Sequence, residues 1–287
     1  MLPSRFDYHR PETLDEALRL LAELEDAKIL AGGQSLIPVM KLRFAAPAHL
    51  IDINRIPGLD GIEPSGGGLR IGALVRHNEM VSSDAVAGFP MLAAAAPQIA
   101  DPIVRNLGSV GGSLAHADPA GDWGAVMLAA GAAVTLRSAR GERELPIGEF
   151  LVDVFTTALE PDEILTHVTV PAAGGSSGGT YLKLERKIGD FATVGAAVQL
   201  EMSNGTIGRA GIALTGVGNT NVHATEAEAS LAGAEPNEDA FAEAGRLAAA
   251  ASNPVSDVRG SADYKRHVVD VFVRRGLARA AEGARAA

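Results

Sequence analysis

Apolar residues recur at Leu14, Ala17, Leu18, Leu21 and Leu24, the 3.6-residue spacing of one helix face. Thr13 followed by Glu16 fits a capping box at its start, and Pro11 stands just ahead, where helix entries tolerate it. Residues 27–31 then form a short, mostly apolar run that predicts a buried strand, stopped by Gly32 and Gly33. Ser35 is placed to cap a second short helix reaching Met40, with Pro38 confined to its first turn. Residues 49–53 read as another short strand. Strand, turn, helix and strand in this order make an α/β unit rather than a sandwich.

Gly66, Gly67 and Gly68 ahead of residues 69–73 predict a hairpin turn and its return strand. Residues 89–100 read as a helix, with Pro90 in its first turn and Asp101-Pro102 ending it. Residues 106–123 are polar and Gly-rich, with too little periodicity for either element. A helix over residues 123–130, a strand over 132–136, a turn at 138–141 and a strand over 164–170 follow, the last closed by Pro171.

The pattern changes most sharply at residues 172–179, Ala-Ala-Gly-Gly-Ser-Ser-Gly-Gly, a composition expected of a flexible connector. The expected boundary therefore separates a domain over 1–173, itself divided into 1–55 and 56–173, from one over 178–287. Beyond the connector lie strands over 180–187, 193–202 and 206–215, the last two joined by a tight Ser203-Asn204-Gly205 hairpin. Helices over 224–231, 238–251 and 262–282 complete the chain. Strands first and helices afterwards predict an α+β domain, a three-stranded antiparallel sheet covered on one face.

Composition removes several chemistries. The 287 residues include no Cys, which excludes disulfides, thiolate catalysis and any iron–sulfur cluster ligated by this chain. A net charge of −10 argues against sequence-independent binding of DNA or RNA. The longest apolar run, residues 126–136, is interrupted by Gly131 and followed by Arg137, well short of a membrane span. A soluble cytoplasmic protein with no transmembrane segment is the expectation.

Two segments concentrate glycine beside small hydroxyl or amide residues. One is Ala31, Gly32, Gly33, Gln34 and Ser35; the other is Ser109, Val110, Gly111, Gly112 and Ser113. Glycine lets backbone N–H groups approach an anion closely, so two such loops facing each other can hold a diphosphate without Lys or Arg. Each alone reads equally well as a tight turn. Neither is a Rossmann or Walker fingerprint. The seven His residues show no metal-ligating spacing, and no nucleophile elbow occurs. Asp118 and Asp122 read either as loop caps or as hydrogen-bond acceptors for a ligand. A basic cluster, residues 181–192, opens the second domain, and Lys183 and Asp190 are placed to reach an interdomain cleft.

Three motifs now occur in one order: Ala-Gly-Gly-Gln-Ser from Ala31, Ser-Val-Gly-Gly-Ser-Leu-Ala-His-Ala-Asp-Pro-Ala-Gly-Asp from Ser109, and Lys-Ile-Gly-Asp-Phe-Ala from Lys187. Together they resemble the FAD-binding medium subunits of molybdenum hydroxylases, above all those of aerobic carbon monoxide dehydrogenases. The resemblance covers nearly the whole chain. It implies an α+β fold, a vanillyl-alcohol-oxidase (PCMH-type) FAD domain followed by the carbon monoxide dehydrogenase flavoprotein C-terminal domain. It also implies that both glycine loops hold the FAD diphosphate through backbone amides, assisted by the Ser109 and Ser113 hydroxyls. Ser113 stands where relatives commonly have Asn.

By the same resemblance Asp122, and less directly Asp118, bind the cofactor, and Leu36 and Leu165 pack near the flavin. Lys183 and Asp190 lie beside its ring, and Phe191 stands where close relatives carry Tyr. No residue of this chain is implied as a general base. The partners implied are a small subunit with [2Fe–2S] clusters and a large subunit with molybdopterin cytosine dinucleotide, assembled as a dimer of heterotrimers. Electrons would leave to a quinone at the inner face of the membrane, or to another acceptor. The same chain could serve a sister enzyme acting on an aldehyde, a purine or a nicotine-like heterocycle; a free-standing flavin oxidase and a flavin-free scaffold are the readings from other classes.

Overall fold

The computed structural model describes residues 2–286. The chain opens on a three-stranded, all-parallel sheet in the spatial order Asp7–His9, His49–Asp52, Ala27–Leu30. The helix Leu14–Glu23 crosses over between its first two strands in sequence. Thr13 accepts from the Glu16 N–H at 3.2 Å, while the Glu16 carboxylate reaches the Glu12 N–H, one residue earlier than a standard capping box would place it. Ala17, Leu18, Ile51 and Ile53 are buried with Ile164 of the next sheet and Leu74 just beyond one of its strands, so the two subdomains share a core.

The second sheet is five-stranded and antiparallel, in the order Ile62–Ser65, Gly68–Gly72, Ile164–Val170, Ala133–Ser138, Gly141–Pro146. Gly66 and Gly67 both have positive φ, as the expected two-residue hairpin turn requires. The single helix expected over 89–100 is a helix, Pro90–Ala95, running into a 3₁₀ turn, Ala96–Gln98. Pro97 cannot donate to the preceding turn, which accounts for the break. Residues 106–123 also differ from expectation: they contain a helix, Val110–His116, capped by Ser109 and ended by Ala117 in the left-handed region.

The C-terminal part is an antiparallel sheet, Ser176–Leu184, Val194–Ser203, Thr206–Thr215, with a short fourth strand, Val222–His223, added to the three expected. Helices Thr225–Leu231, Glu238–Ala251 and Ala262–Ala286 follow. Ser176, Ser177, Gly178 and Gly179 belong to the first strand, so the Gly/Ser run is not simply a connector. At Gly178 an added Cβ would lie 2.0 Å from the Ala280 carbonyl oxygen of the long helix, so the glycine there serves close packing.

The sheet is covered on both faces, not on one. Its own long helix lies against one face, while the helices Asp122–Ala130 and Pro90–Ala95 of the first part pack the other. Tyr181, Ala197 and Ala213 therefore join the core built by Leu92, Trp123, Val126 and Val134. Among the described residues no helix is long and apolar enough to cross a membrane.

The closest approach to backbone between this helix and the sheet is at Gly211, where a Cβ would sit 2.0 Å from the Ala129 carbonyl oxygen. Gly211→Ala must push the helix off the sheet and is expected to cost about 1–3 kcal/mol or more, the usual range for overpacking. Gly148→Ala, whose Cβ would meet nothing nearer than 3.6 Å, is the control. Thermal unfolding should show a clear fall in Tm for the first and little change for the second; equal Tm values would remove the seam from the account of stability.

Candidate functional site

The first glycine loop leaves the strand Ala27–Leu30 and enters the helix Leu36–Lys41. Gly33, with φ of +71°, makes the turn between them. Ser35 does not cap the helix: its own backbone is already helical and its hydroxyl makes no cap bond, contrary to expectation. Among the described residues the N–H groups of Gly32, Gly33, Gln34 and Ser35 have no acceptor. Four consecutive unpaired donors in a half-buried loop are the kind of arrangement that suits an anion.

The second loop is a helix start. Ser109 is the N-cap of Val110–His116, its Oγ accepting from the Gly112 N–H at 3.3 Å. The Val110 and Gly111 amides donate to the carbonyls of Val75 (2.9 Å) and Ala73 (3.0 Å), so they anchor the loop rather than face outward. Gly111 is required for that anchoring, since a Cβ would lie 2.5 Å from the Ala73 methyl. Ser113 donates its N–H to the Ser109 carbonyl. What this segment can still offer a ligand is the Ser109 N–H and the two serine hydroxyls.

The fold brings the two loops into contact. A Cβ on Gly32 would lie 2.3 Å from the Leu107 carbonyl oxygen, and one on Gly112 would lie 3.7 Å from the Ala31 methyl. Arg76 joins them from below. It donates to the Leu107 carbonyl at 2.5 Å and to Asn54 Oδ1 at 2.6 Å, and Asn54 Nδ2 donates to the Ala31 carbonyl at 2.8 Å. Arg76 and Asn54 escaped the sequence reading because neither lies in a motif; only the fold makes them neighbours. Small residues, free amides and one half-buried guanidinium fit the diphosphate of FAD.

Behind the second loop, His77 is buried, and its N–H donates to the Gly108 carbonyl at 3.0 Å. Trp123 Nε1 donates to His77 Nδ1 at 3.0 Å, so that nitrogen carries no proton. Burial, with Arg76 and Arg105 adding positive charge nearby, lowers the imidazole from its ordinary 6.5 to about 4.

Asp122 and Lys183 come together in the seam between the two parts of the chain. Lys183 Nζ lies 2.9 Å from Asp122 Oδ2 and 2.9 Å from the Gln98 carbonyl, with Glu185 at 3.6 Å. Tyr181 donates to the other Asp122 oxygen at 2.6 Å. Burial pushes the Asp122 carboxyl up, opposed by the Lys183 ammonium and the Tyr181 hydroxyl. Burial also raises the Tyr181 hydroxyl well above its usual range, so it stays a donor.

The other expected residues are dispersed. Asp118 curls back to accept from the Ala120 N–H at 2.9 Å. Leu165 is buried in the central strand of the five-stranded sheet, and Leu36 is half-buried where the first loop becomes helix. Asp190 does not join Lys183: it is held by Arg259 at 3.2 Å on an exposed loop, with Phe191 half exposed beside it.

Two outcomes follow for stability. Lys183→Met leaves a buried carboxylate without its counter-charge and is expected to cost about 3–5 kcal/mol, with much of that recovered in Asp122→Leu/Lys183→Met. Thermal unfolding of the two variants reads this, and a double variant no more stable than the single one counts against the pair. His77 contributes stability that is complete above the unfolded value near 6.5 and is lost as pH falls towards about 4. The loss approaches about 3 kcal/mol at 1.36 kcal/mol per unit. His77→Asn keeps an acceptor for Trp123 but cannot titrate there, so its Tm should fall less between pH 7 and pH 4; parallel profiles would exclude His77 as the cause.

The comparisons with known proteins agree with this architecture. The family model described as "FAD binding domain in molybdopterin dehydrogenase" matches residues 4–173, and "CO dehydrogenase flavoprotein C-terminal domain" matches residues 179–280. The carbon monoxide dehydrogenase medium chain of Hydrogenophaga pseudoflava is 44% identical over 279 residues, 96% of this chain and 97% of that one. The 6-hydroxypseudooxynicotine dehydrogenase complex subunit alpha of Paenarthrobacter nicotinovorans is 41% identical, covering 99% and 97%. A solved carbon monoxide dehydrogenase from H. pseudoflava superposes with a TM-score of 0.96 at 45% identity, over 99% of both chains. This chain belongs to the family of FAD-binding subunits of the molybdopterin dehydrogenases.

Proposed function

We propose that this chain is the flavin-bearing medium subunit of an aerobic carbon monoxide dehydrogenase, taking electrons from [2Fe–2S] clusters of a small subunit while a molybdenum subunit oxidises CO to CO₂. A quinone is the proposed acceptor, and a dimer of heterotrimers the proposed assembly. Within the chain, residues 1–173 would be the FAD-binding domain and 178–287 the C-terminal domain. FAD, when bound, supplies the redox chemistry; the protein supplies binding, orientation and electrostatics.

The observation that carries this reading is the meeting of the two glycine loops over Arg76 and Asn54. Gly32, Gly33, Gln34 and Ser35 would bind the diphosphate through their N–H groups. Ser109 and Ser113 would add hydroxyl donors, and Gly112 leaves the space between the loops open. The Val110 and Gly111 amides, engaged within the fold, would act by fixing the loop's shape. Lys183 and Asp122 would present a fixed charge pair towards the ring-side of the site, with Asp190, Phe191, Leu36 and Leu165 completing its surroundings. The likeness to the 6-hydroxypseudooxynicotine dehydrogenase complex subunit alpha supports a second reading, the same flavin role in a hydroxylase of N-heterocycles.

Gly112→Ala separates binding from folding. Its Cβ would lie 2.8 Å from the Ser109 hydroxyl and 3.7 Å from the Ala31 methyl, displacing that hydroxyl from the loop mouth and from its cap bond, whereas Gly32→Ala collides with backbone. Losing one hydrogen bond to a charged group weakens FAD retention by about tenfold or more. The flavin absorbance of the purified complex should therefore fall for Gly112→Ala, with a Tm loss no larger than that of one helix cap, about 1 kcal/mol. Full flavin content would remove the loop from the site, and a wild-type complex without FAD would overturn the reading. Metal analysis for iron, molybdenum and copper, with flavin bleaching by CO or by an N-heterocycle, separates the two substrates.

A further inference from the structure

The three strands of the opening sheet are parallel, so their carboxyl ends lie together, the edge at which such sheets present ligand sites. The strand His49–Asp52 is central, between Asp7–His9 and Ala27–Leu30. Asp52, its last residue, is therefore placed to reach both neighbours. Tyr8 pairs with Leu50, which puts the tyrosine and Asp52 on one face of the sheet, a single step apart. The half-exposed Tyr8 donates its hydroxyl to Asp52 Oδ2. On the other side the strand Ala27–Leu30 runs into the first glycine loop, and Asp52 reaches that loop through Asn54.

Asp52 Oδ1 accepts from the Asn54 N–H at 2.9 Å and from Asn54 Nδ2 at 2.6 Å. Burial pushes the Asp52 carboxyl up, but the Tyr8 hydroxyl and the two Asn54 donors outweigh it and hold the group below its usual range. It is therefore ionised at neutral pH and can only accept. The Ala31 carbonyl, 2.8 Å from Asn54 Nδ2, can only accept as well. The Arg76 guanidinium, 2.6 Å from Asn54 Oδ1, can only donate. One orientation of the amide satisfies all three. Turned over, it would set its oxygen against a carboxylate and a carbonyl, and its NH₂ against a guanidinium.

This orientation has two consequences. The amide becomes a bridge of fixed length between the loops: Ala31 begins one, and Arg76 carries the contact on to the Leu107 carbonyl just ahead of the other. The amide is also a neutral group standing between a carboxylate and a guanidinium. Among the described residues the Arg76 side chain meets only neutral acceptors, the Leu107 carbonyl and Asn54 Oδ1. A direct ion pair between Asp52 and Arg76 would cancel the positive potential that an anion between the loops would feel.

Resting on the reading of the two loops as an FAD diphosphate cradle, we propose that Asp52 is a positioning residue for that cradle. Its carboxylate, steadied by Tyr8, sets the Asn54 amide so that Nδ2 holds the first loop and Oδ1 holds Arg76, which leaves the Arg76 charge for the diphosphate. Asp52 and Tyr8 both act through Asn54. The N-terminal strand, which carries neither glycine motif, thereby takes part in retaining the cofactor.

The test uses the purified complex, stripped of flavin and titrated with FAD, with binding read from flavin fluorescence. Asp52→Asn keeps the side-chain shape but can turn an NH₂ towards Asn54. FAD should bind it about tenfold more weakly, the loss expected for one hydrogen bond to a charged group. Tyr8→Phe, at an exposed position, should act in the same direction by about threefold, and it carries the test where Asp52→Asn fails to fold. In an Asn54→Ala background Asp52→Asn should make no further difference, because the path runs through that amide; effects that add overturn the proposal. Asn54→Asp should bind FAD more weakly than Asn54→Ala, since a carboxylate there takes up the Arg76 charge, and the reverse order overturns the role of neutral spacer. Wild-type FAD affinity in Asp52→Asn overturns the positioning role and leaves the flavin reading in place. A wild-type complex that takes up no FAD fails the flavin reading, and this inference with it.

Discussion

The structure depends on how closely the helix Asp122–Ala130 lies against the inner face of the C-terminal sheet. Gly211 allows the helix backbone to approach, and Gly124 allows Asn221 of the second part to reach back across, where a Cβ would lie 1.9 Å from Asn221 Oδ1. This contact replaces the flexible hinge that the glycine-rich run between the two parts leads one to expect. It also places the first two residues of the helix on opposite duties. Asp122 takes the charge of Lys183 and the hydroxyl of Tyr181, while Trp123 turns to His77 beneath the second glycine loop. A displacement of this helix would disturb the seam and the cradle together.

The cradle is nearly free of formal charge. Backbone amides are fixed dipoles that water satisfies at little cost, whereas clustered Lys or Arg would repel one another. The one guanidinium present, Arg76, is already occupied with the Leu107 carbonyl and Asn54, so its role is to join the loops while contributing positive potential. Such a cradle would select an anion by geometry rather than by charge number. An acidic net charge is therefore no obstacle to an anion site built this way.

Much of this was legible in the sequence because it rests on local rules. The amphipathic period gave the first helix, Asn204-Gly205 set a hairpin turn with both residues at positive φ, and the helix Glu238–Ala251 begins and ends where its pattern does. Both glycine loops stood out because few residue types can turn a chain so tightly. What was hidden depends on neighbours distant in sequence. Gly178 read as linker because its reason for being glycine is the Ala280 carbonyl about a hundred positions away. The helix Val110–His116 escaped because two glycines dilute its period, and Ser109 caps it without the acidic partner that marks a capping box. Arg76 and Asn54 join the loops only after the chain has folded.

Fixing the two parts against each other also narrows the kind of catalyst this fold can serve. Gln98 donates to the Tyr181 carbonyl while its own carbonyl accepts from Lys183, so the 3₁₀ turn of the first part is stitched to the first strand of the second in both directions. An enzyme that must admit and release a bulky substrate between two domains generally needs a hinge that opens. Here opening would separate Asp122 from Lys183 and break the Tyr181–Asp122 and Gln98–Tyr181 hydrogen bonds as well. A flavin that exchanges only electrons needs no such opening; it needs a constant distance to its donor. The locked seam suits that task.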